Sequence, residues 1–214
     1  MSRSLILLLA LFTLIIFPLI GWGLFWLLGE KNWLAVFQFK TPLIVQILLG
    51  GFVGLLTAIA AWEIISMPFM KPVLDQFGPT IAQLRLNHFL IVFISFCAGF
   101  GEELLFRASL QPFLGLLLTS ILFIALHGYL NPWNWRISVY GLYMTIVILT
   151  LGWMFKEFGI YSTAIAHMII DWVLLYKLNQ QFKGSFFFPS NKSFPQYFPE
   201  TANKENGEQT ELPS

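Results

Sequence analysis

Residues 89–110 read FLIVFISFCAGFGEELLFRASL and decide the fold class of this chain. The run is long enough to cross a ~30 Å hydrocarbon core as an α-helix, which takes about 20 residues. It nevertheless carries Glu102, Glu103 and Arg107. Each ionisable group costs roughly 2.5–3.5 kcal/mol at the centre of a bilayer. Charges in an otherwise apolar span therefore indicate a functional site.

Further apolar runs of comparable length lie on both sides of this stretch and predict more spans. The run at 5–28 is longer than the 7–15 apolar residues typical of a signal peptide, so we interpret it as a retained transmembrane helix. Together the runs predict an all-α fold, a polytopic bundle of about six transmembrane helices. Besides 89–110, the predicted spans are 5–28, 43–67, 113–130, 137–155 and 160–178.

The composition excludes several classes of protein. The 214 residues are 57% apolar and only 11% charged, against roughly 25% charged in soluble domains, so membrane lipid is the expected surrounding. The net charge of +1 excludes a nucleic-acid partner bound through a basic surface. Cys97 is the sole cysteine, which excludes a disulfide framework, a cysteine-based zinc site and an iron–sulfur cluster.

The spans and the C-terminal composition predict three regions. Residues 1–85 form a two-helix membrane region and 86–180 form a core that carries the charged spans. Residues 181–214 form a tail, first rich in Phe and Pro and then polar, which we expect to be partly disordered.

The distribution of basic residues predicts the orientation in the membrane. Because cytoplasmic loops are enriched in Lys and Arg, the more basic side is expected to be cytoplasmic. We therefore expect a multi-pass protein of the bacterial plasma membrane with both termini in the cytoplasm. The N-terminal side carries Arg3, Lys71, Arg85, Arg136, Lys177, Lys183 and Lys192, whereas the other side carries Lys31, Lys40 and Lys156.

The intramembrane polar residues are spaced so that they can meet. Glu103 and Arg107 are four residues apart on one helix and share a face, so they can pair. His167 and Asp171 share a face of the sixth span in the same way. His127 is the ionisable residue of the fourth span. Taken one at a time, an ion pair that only holds helices together would explain Glu103 and Arg107 equally well. A lone histidine such as His127 is more often a satisfied core residue.

Depth in the membrane brings the same residues to one level. Glu102 and His127 lie level on antiparallel helices if the chain turns near 114–115, about 12 residues or ~18 Å from each. His167 and Asp171 lie ~12–18 Å from the start of the sixth span on that same side. The sequence therefore predicts one cluster of carboxylates, imidazoles and a guanidinium inside the membrane.

Three kinds of chemistry suit such a cluster. A Glu and a His can activate water for attack on an amide carbonyl. Two His with a Glu or Asp can instead hold a divalent metal such as zinc, with Glu102, His127 and His167 as the candidate ligands. Carboxylates and histidines can also relay protons in a transport protein. A catalytically silent scaffold is a further alternative, and no serine or cysteine nucleophile is evident.

Three short motifs resemble those of the CPBP family, also called Abi, of CAAX-processing and bacteriocin-related membrane proteases. They are Glu102-Glu103-x-x-x-Arg107, Phe123-x-x-x-His127 and His167-x-x-x-Asp171. Each motif is weak alone, but three in order, each on an apolar helix, form a strong signal. The resemblance covers about residues 86–180.

The resemblance implies an intramembrane endopeptidase similar to type II CAAX prenyl proteases. Glu102 and His127 would activate water, Glu103 and Arg107 would support the site, and His167 and Asp171 would bind or polarise the scissile carbonyl of a peptide or protein substrate. The family has been described both as metal-dependent and as metal-independent, and some members are linked to bacteriocin immunity. Asp171 stands where the prenyl-processing branch has Asn, and an ionised Asp cannot donate a hydrogen bond to an oxyanion.

Overall fold

The computed structural model of this chain describes residues 3–28, 32–84 and 86–182. The predicted all-α fold is confirmed: helices account for nearly all of these residues. A π-helix, Phe106–Leu110, joins α4 to α5, and short 3-10 helices form at Trp33–Phe37 and Pro68–Met70. The α-helices are α1 Arg3–Leu27, α2 Leu43–Ser66, α3 Lys71–Gln83, α4 His88–Leu105, α5 Gln111–Leu126, α6 Trp135–Glu157 and α7 Ile160–Phe182.

Four helical stretches of the described chain are long and apolar enough to cross a membrane: α1, α2, His88–Leu126 and α6. The third of these has 39 residues, which would make about 58 Å of straight helix, roughly twice the hydrocarbon thickness. The chain instead breaks inside α5 at Gly115, whose φ of 77° lies in the left-handed region that favours glycine. The reversal predicted near 114–115 therefore falls at Gly115.

The last helix, α7, lies at the centre of the bundle and packs against α2 and α4 along much of their length. Small residues permit this close approach. A Cβ on Gly54 of α2 would lie 2.6 Å from the Ala166 carbonyl oxygen, and one on Gly99 of α4 would lie 2.7 Å from the Met168 nitrogen. Transmembrane helices commonly pack through such small residues, because lipid provides no hydrophobic drive for their association. The polar face of α7 is thereby held close to α4.

Helix α3 is an element that the sequence analysis did not predict. Pro72 and Pro79 argue against a regular helix, although Pro72 lies in the first turn, where the missing N–H costs little. The side chains of Val73 and Leu74 are buried, whereas Lys71 is exposed to solvent. Burial of this apolar stripe against α7 and α2 outweighs the weak local propensity of the segment.

The predicted C-terminal tail at 181–214 lies almost wholly outside the described residues, because α7 ends at Phe182. The predicted division at residues 85 and 180 therefore stays a prediction. The ring of Phe182 packs against Gly78, so the end of α7 touches α3.

Candidate functional site

The most deeply buried part of the site is an ion pair at the junction of α4 with the π-helix. The side chains of Glu103 and Arg107 are both fully buried, and the Arg107 Nε donates to Glu103 Oε2 over 3.1 Å, as the four-residue spacing predicts. The guanidinium also donates to the Ile148 carbonyl at 3.1 Å and to Gln111 Oε1 at 3.4 Å. Its carbon lies 5.7 Å from the centre of the Phe123 ring. The buried charge of Arg107 is thus compensated by a carboxylate, two oxygen acceptors and an aromatic ring.

The next part of the site is His167 of α7. Its Nδ1 lies 3.1 Å from Glu103 Oε1. Because an ionised carboxylate only accepts hydrogen bonds, the Nδ1 of His167 carries the hydrogen in this contact. The opposite nitrogen, Nε2, lies 3.7 Å from Asp171 Oδ2 and 4.0 Å from Glu102 Oε2. His167 therefore stands among three carboxylates, which stabilise its protonated form electrostatically.

The third part of the site pairs Glu102 with His127. The distance from Glu102 Oε2 to His127 Nε2 is 3.3 Å, but the contact lacks the angles of a hydrogen bond, and this oxygen is buried without a hydrogen-bonding partner. The other ring nitrogen, Nδ1, lies 2.8 Å from the Phe123 carbonyl oxygen. A carbonyl only accepts, so Nδ1 carries the hydrogen and a neutral His127 presents the lone pair of Nε2 toward Glu102.

Phe123 holds the two imidazoles in place. Its ring stacks on His127 with centroids 4.2 Å apart and a 13° interplanar angle. It meets the His167 ring edge-on at 5.7 Å. Phe123 is itself buried. An aromatic ring in contact with both imidazoles and the guanidinium limits how far any of them can turn.

A cavity of about 370 Å³ opens beside the site. His127 and Asp171 contribute charged or titratable groups to its wall, and α3, the α5–α6 turn, α6 and α7 supply most of the rest. Tyr129 lies in that turn, where burial raises the pKa of its hydroxyl to about 12, so the group stays protonated near neutral pH. The apolar lining includes Met70, Leu74, Phe77, Ile137 and Leu174.

The six predicted site residues therefore come together, and residues not selected from the sequence support them, either by direct contact or through the π-helix. The carbonyl of Ile148 and the side chain of Gln111 bind Arg107. Trp33 Nε1 donates to Ser109 Oγ at 2.9 Å, which ties the α1–α2 connection to the π-helix. Gln111 carries a detectable signal, because it follows Arg107 by four residues. Trp33 carries none, because it lies 76 residues away along the chain from its partner.

Glu102, His127 and His167 are residue types that bind metal ions, but their positions do not match a metal site. One Glu and two His form a donor set known from catalytic zinc sites, whose ligands lie within about 3.4 Å of one another. The Nε2 of His167 lies 4.0 Å from Glu102, and Glu103 is already bound to Arg107 and His167. Among the described residues, no group of three His, Cys, Asp or Glu side chains has the geometry to hold an ion. The side chains as placed do not fit a metal.

Comparison with known proteins shows what this region is similar to. Residues 85–173 match the family described as Type II CAAX prenyl endopeptidase Rce1-like. The match covers all three motifs and extends from the start of α4 to the polar turn of α7. This match and the long apolar helices support an integral membrane protein.

One relative of this chain is the uncharacterized protein YpbD of Bacillus subtilis, which is 39% identical over 83 residues. The alignment covers 38% of this chain and 41% of YpbD, so the chain matches about two-fifths of the length of that relative. No solved structure matches the chain. Neither the family nor this relative supports a link to bacteriocin immunity.

Proposed function

We propose that the chain is an intramembrane endopeptidase in which Glu102 and His127 activate a water molecule. The observation that carries this proposal is the buried, unbonded Glu102 Oε2 lying 3.3 Å from His127 Nε2. Both atoms accept hydrogen bonds, so a water that donates to Glu102 Oε2 also lies next to His127 Nε2. His127 also faces the cavity, which gives a peptide access to that water.

The proposed reaction proceeds in two steps. In the first, the water oxygen bonds to the peptide carbonyl carbon while one of its protons passes to Glu102 and the carbonyl π bond opens to an oxyanion. Neutral His127 accepts a hydrogen bond from the hydrogen that the water oxygen keeps. In the second, the tetrahedral intermediate collapses, the C–N bond breaks, and Glu102 returns the proton to the leaving amine. No other reactant is consumed, and both side chains recover their starting state.

The remaining residues hold this pair in place. Arg107 fixes Glu103, and Glu103 fixes the Nδ1–H tautomer of His167. The Nε2 of His167 then points toward Glu102 and Asp171, where a protonated His167 can donate to the scissile carbonyl. Asp171 cannot donate while ionised, so its proposed role is to orient His167 and stabilise its charge.

The cavity supports a substrate class and a direction of entry. Its walls are mostly apolar, so the proposed substrate is a membrane-anchored peptide with an apolar group beside the scissile bond. The cavity is lined by α3 and the α5–α6 turn, which lie on the side of the N-terminus in the predicted six-span bundle. With both termini cytoplasmic, the substrate enters from the cytoplasmic side.

The decisive experiment compares two glutamates of the full chain reconstituted in liposomes. We expect the parent to cleave members of a library of short membrane-anchored peptides, with products identified by mass spectrometry. Glu102→Gln preserves shape and removes the base, so turnover should fall at least 100-fold, the lower range for general base catalysis. Glu63→Gln is the matched control, because Glu63 is exposed near the end of α2. Equal cleavage by Glu102→Gln and the parent would contradict the proposal.

The same assay tests the absence of a metal step. We expect full activity in strong chelator, because no proposed step uses an ion. Loss of activity in chelator, restored by zinc, would replace the water-activation scheme with a metal-assisted one that uses Glu102, His127 and His167.

A further inference from the structure

Gln111 is a buried side chain that bridges the site to helix α6. Its Nε2 donates to the Gly152 carbonyl at 2.8 Å, and its Oε1 accepts from Arg107 Nη1 at 3.4 Å. Gln111 does not line the cavity and touches neither imidazole. Both ends of the amide are therefore occupied, one by the site and the other by a neighbouring helix.

The π-helix explains why Gln111 reaches Arg107. In a regular α-helix of 3.6 residues per turn, positions separated by eight residues are about 80° apart around the axis. The Gln111 N–H instead bonds the Phe106 carbonyl, an i→i+5 bond that widens the turn. Residues spaced by four then lie more nearly in one line, and Glu103, Arg107 and Gln111 are spaced in this way. Such π turns are frequent at functional sites.

Helix α6 supplies the fixed end of this bridge without a charged side chain. Its Ile148 and Gly152 carbonyls, one turn apart, accept from Arg107 and Gln111 respectively. A Cβ on Gly152 would lie 2.7 Å from Gln111 Oε1 and 3.1 Å from Arg107 Nη1. The nearest atom to that Cβ is Leu116 Cδ1, so a larger residue would displace Leu116 or the Gln111 amide and would crowd Arg107 less.

We propose that Gln111 is a positioning residue that sets the geometry of His167 from helix α6. The bridge runs from the Gly152 carbonyl through Gln111, Arg107 and Glu103 to the Nδ1 of His167. Loss of Gln111 lets the Arg107 guanidinium and the Glu103 carboxylate move. The imidazole of His167 is then no longer held in one orientation by its Nδ1 hydrogen bond. The expected loss of turnover rests on the proposed function, whereas the expected change at His167 does not.

The chain has three histidines, so imidazole resonances report this geometry directly. The full chain, labelled with ¹⁵N-histidine in lipid nanodiscs, should show a downfield Nδ1–H proton at His167, assigned by its loss in His167→Gln. We expect that signal to shift or disappear in Gln111→Leu and in Gly152→Ala. His88, which packs against Trp172 and Tyr176 at the far end of α4, provides the internal reference.

Matched controls separate positioning from general loss of packing. Gln46→Leu removes another fully buried glutamine, whose Nε2 bonds the Thr41 carbonyl on the α2 side of the bundle. Gly23→Ala adds a methyl group where no atom lies within 4 Å. Both variants should leave the His167 signal unchanged. Gln111→Glu keeps an acceptor for Arg107 but cannot donate to Gly152, so its signal should fall between those of the parent and Gln111→Leu.

The outcomes are distinguishable. An unchanged His167 signal in folded Gln111→Leu would overturn the proposal, and if that variant does not fold, an unchanged signal in Gly152→Ala would overturn it. With a cleaved peptide in hand, kcat of Gln111→Leu should fall by up to about 100-fold, the cost of an ångström-scale misplacement, while KM stays constant. A chain that cleaves no peptide but shows the expected shifts refutes the endopeptidase and leaves the positioning role standing.

Discussion

Two acid–base pairs with the same four-residue spacing have opposite surroundings in this molecule. Lys71 and Asp75 of α3 approach to 2.7 Å with side chains 71% and 54% exposed. Glu103 and Arg107 approach to 3.1 Å with both side chains fully buried. The first pair has water as an alternative partner, and the second has only other protein groups. The same spacing therefore gives a solvent-exposed ion pair on α3 and a buried ion pair that supports the candidate site on α4.

Solvent explains the difference in energy. Exposed pairs at this spacing contribute about 0.3–0.5 kcal/mol, because water screens the charges and ordering the side chains costs entropy. Removal of one partner from a buried pair costs about 3–5 kcal/mol, because it leaves an uncompensated charge. The buried pair is thus weak evidence for net stability but strong evidence for a constraint on geometry.

Arg107→Met should have the largest effect, because it breaks the buried pair and leaves Glu103 without its main cation. We expect the free energy of unfolding to fall by about 3–5 kcal/mol, measured by denaturant titration in mixed micelles. The double variant Glu103→Gln with Arg107→Met should recover part of this loss, since it removes the stranded charge. A loss below 1 kcal/mol in the single variant would mean that water reaches the pair.

Phe123→Leu should have an intermediate effect, because it keeps an apolar side chain but removes the aromatic face against Arg107 and His127. We expect a loss of about 2 kcal/mol, the magnitude of a desolvated cation–π contact, in the same titration. Phe12→Leu is the control, since Phe12 lies exposed on α1. Equal losses in the two variants would show that the ring contributes only apolar area.

Lys71→Gln should have the smallest effect. We expect a change within about 0.5 kcal/mol, shrinking further in 1 M salt, because the pair is exposed and screened. The stability lost in Arg107→Met should not depend on salt in this way. A salt-sensitive loss at Arg107, or a large loss at Lys71, would remove the contrast between the two pairs.

Most of the helices could be predicted from apolar length alone. The predicted run at 43–67 became α2 at Leu43–Ser66, and the run at 160–178 became the first part of α7. Helix α3 could not be predicted in this way, because Pro72 and Pro79 lower the local helix propensity of the segment. Its stability comes from burial against α7 and α2. That burial is a property of the packed bundle, which local pattern does not encode.

The candidate site divides in the same way. Glu102, Glu103, Arg107, His127, His167 and Asp171 could be grouped by spacing and depth, since ionisable residues are rare and costly in apolar spans. The α6 partners of Arg107 and Gln111 could not be predicted, because the Ile148 and Gly152 carbonyls that accept from them are main-chain groups, which every residue carries. Main-chain acceptors become specific only when a neighbouring helix sets their distance.

The sequence by itself determined that this chain lies in a membrane and that its few intramembrane charges share one level. Apolar length and the cost of burying charge act locally and can be read residue by residue. Only the tertiary structure decided which nitrogen of each imidazole faces which carboxylate, where α3 borders the cavity, and how α6 holds Arg107. Those features depend on distances of a few ångströms between helices far apart in the chain, which packing alone sets.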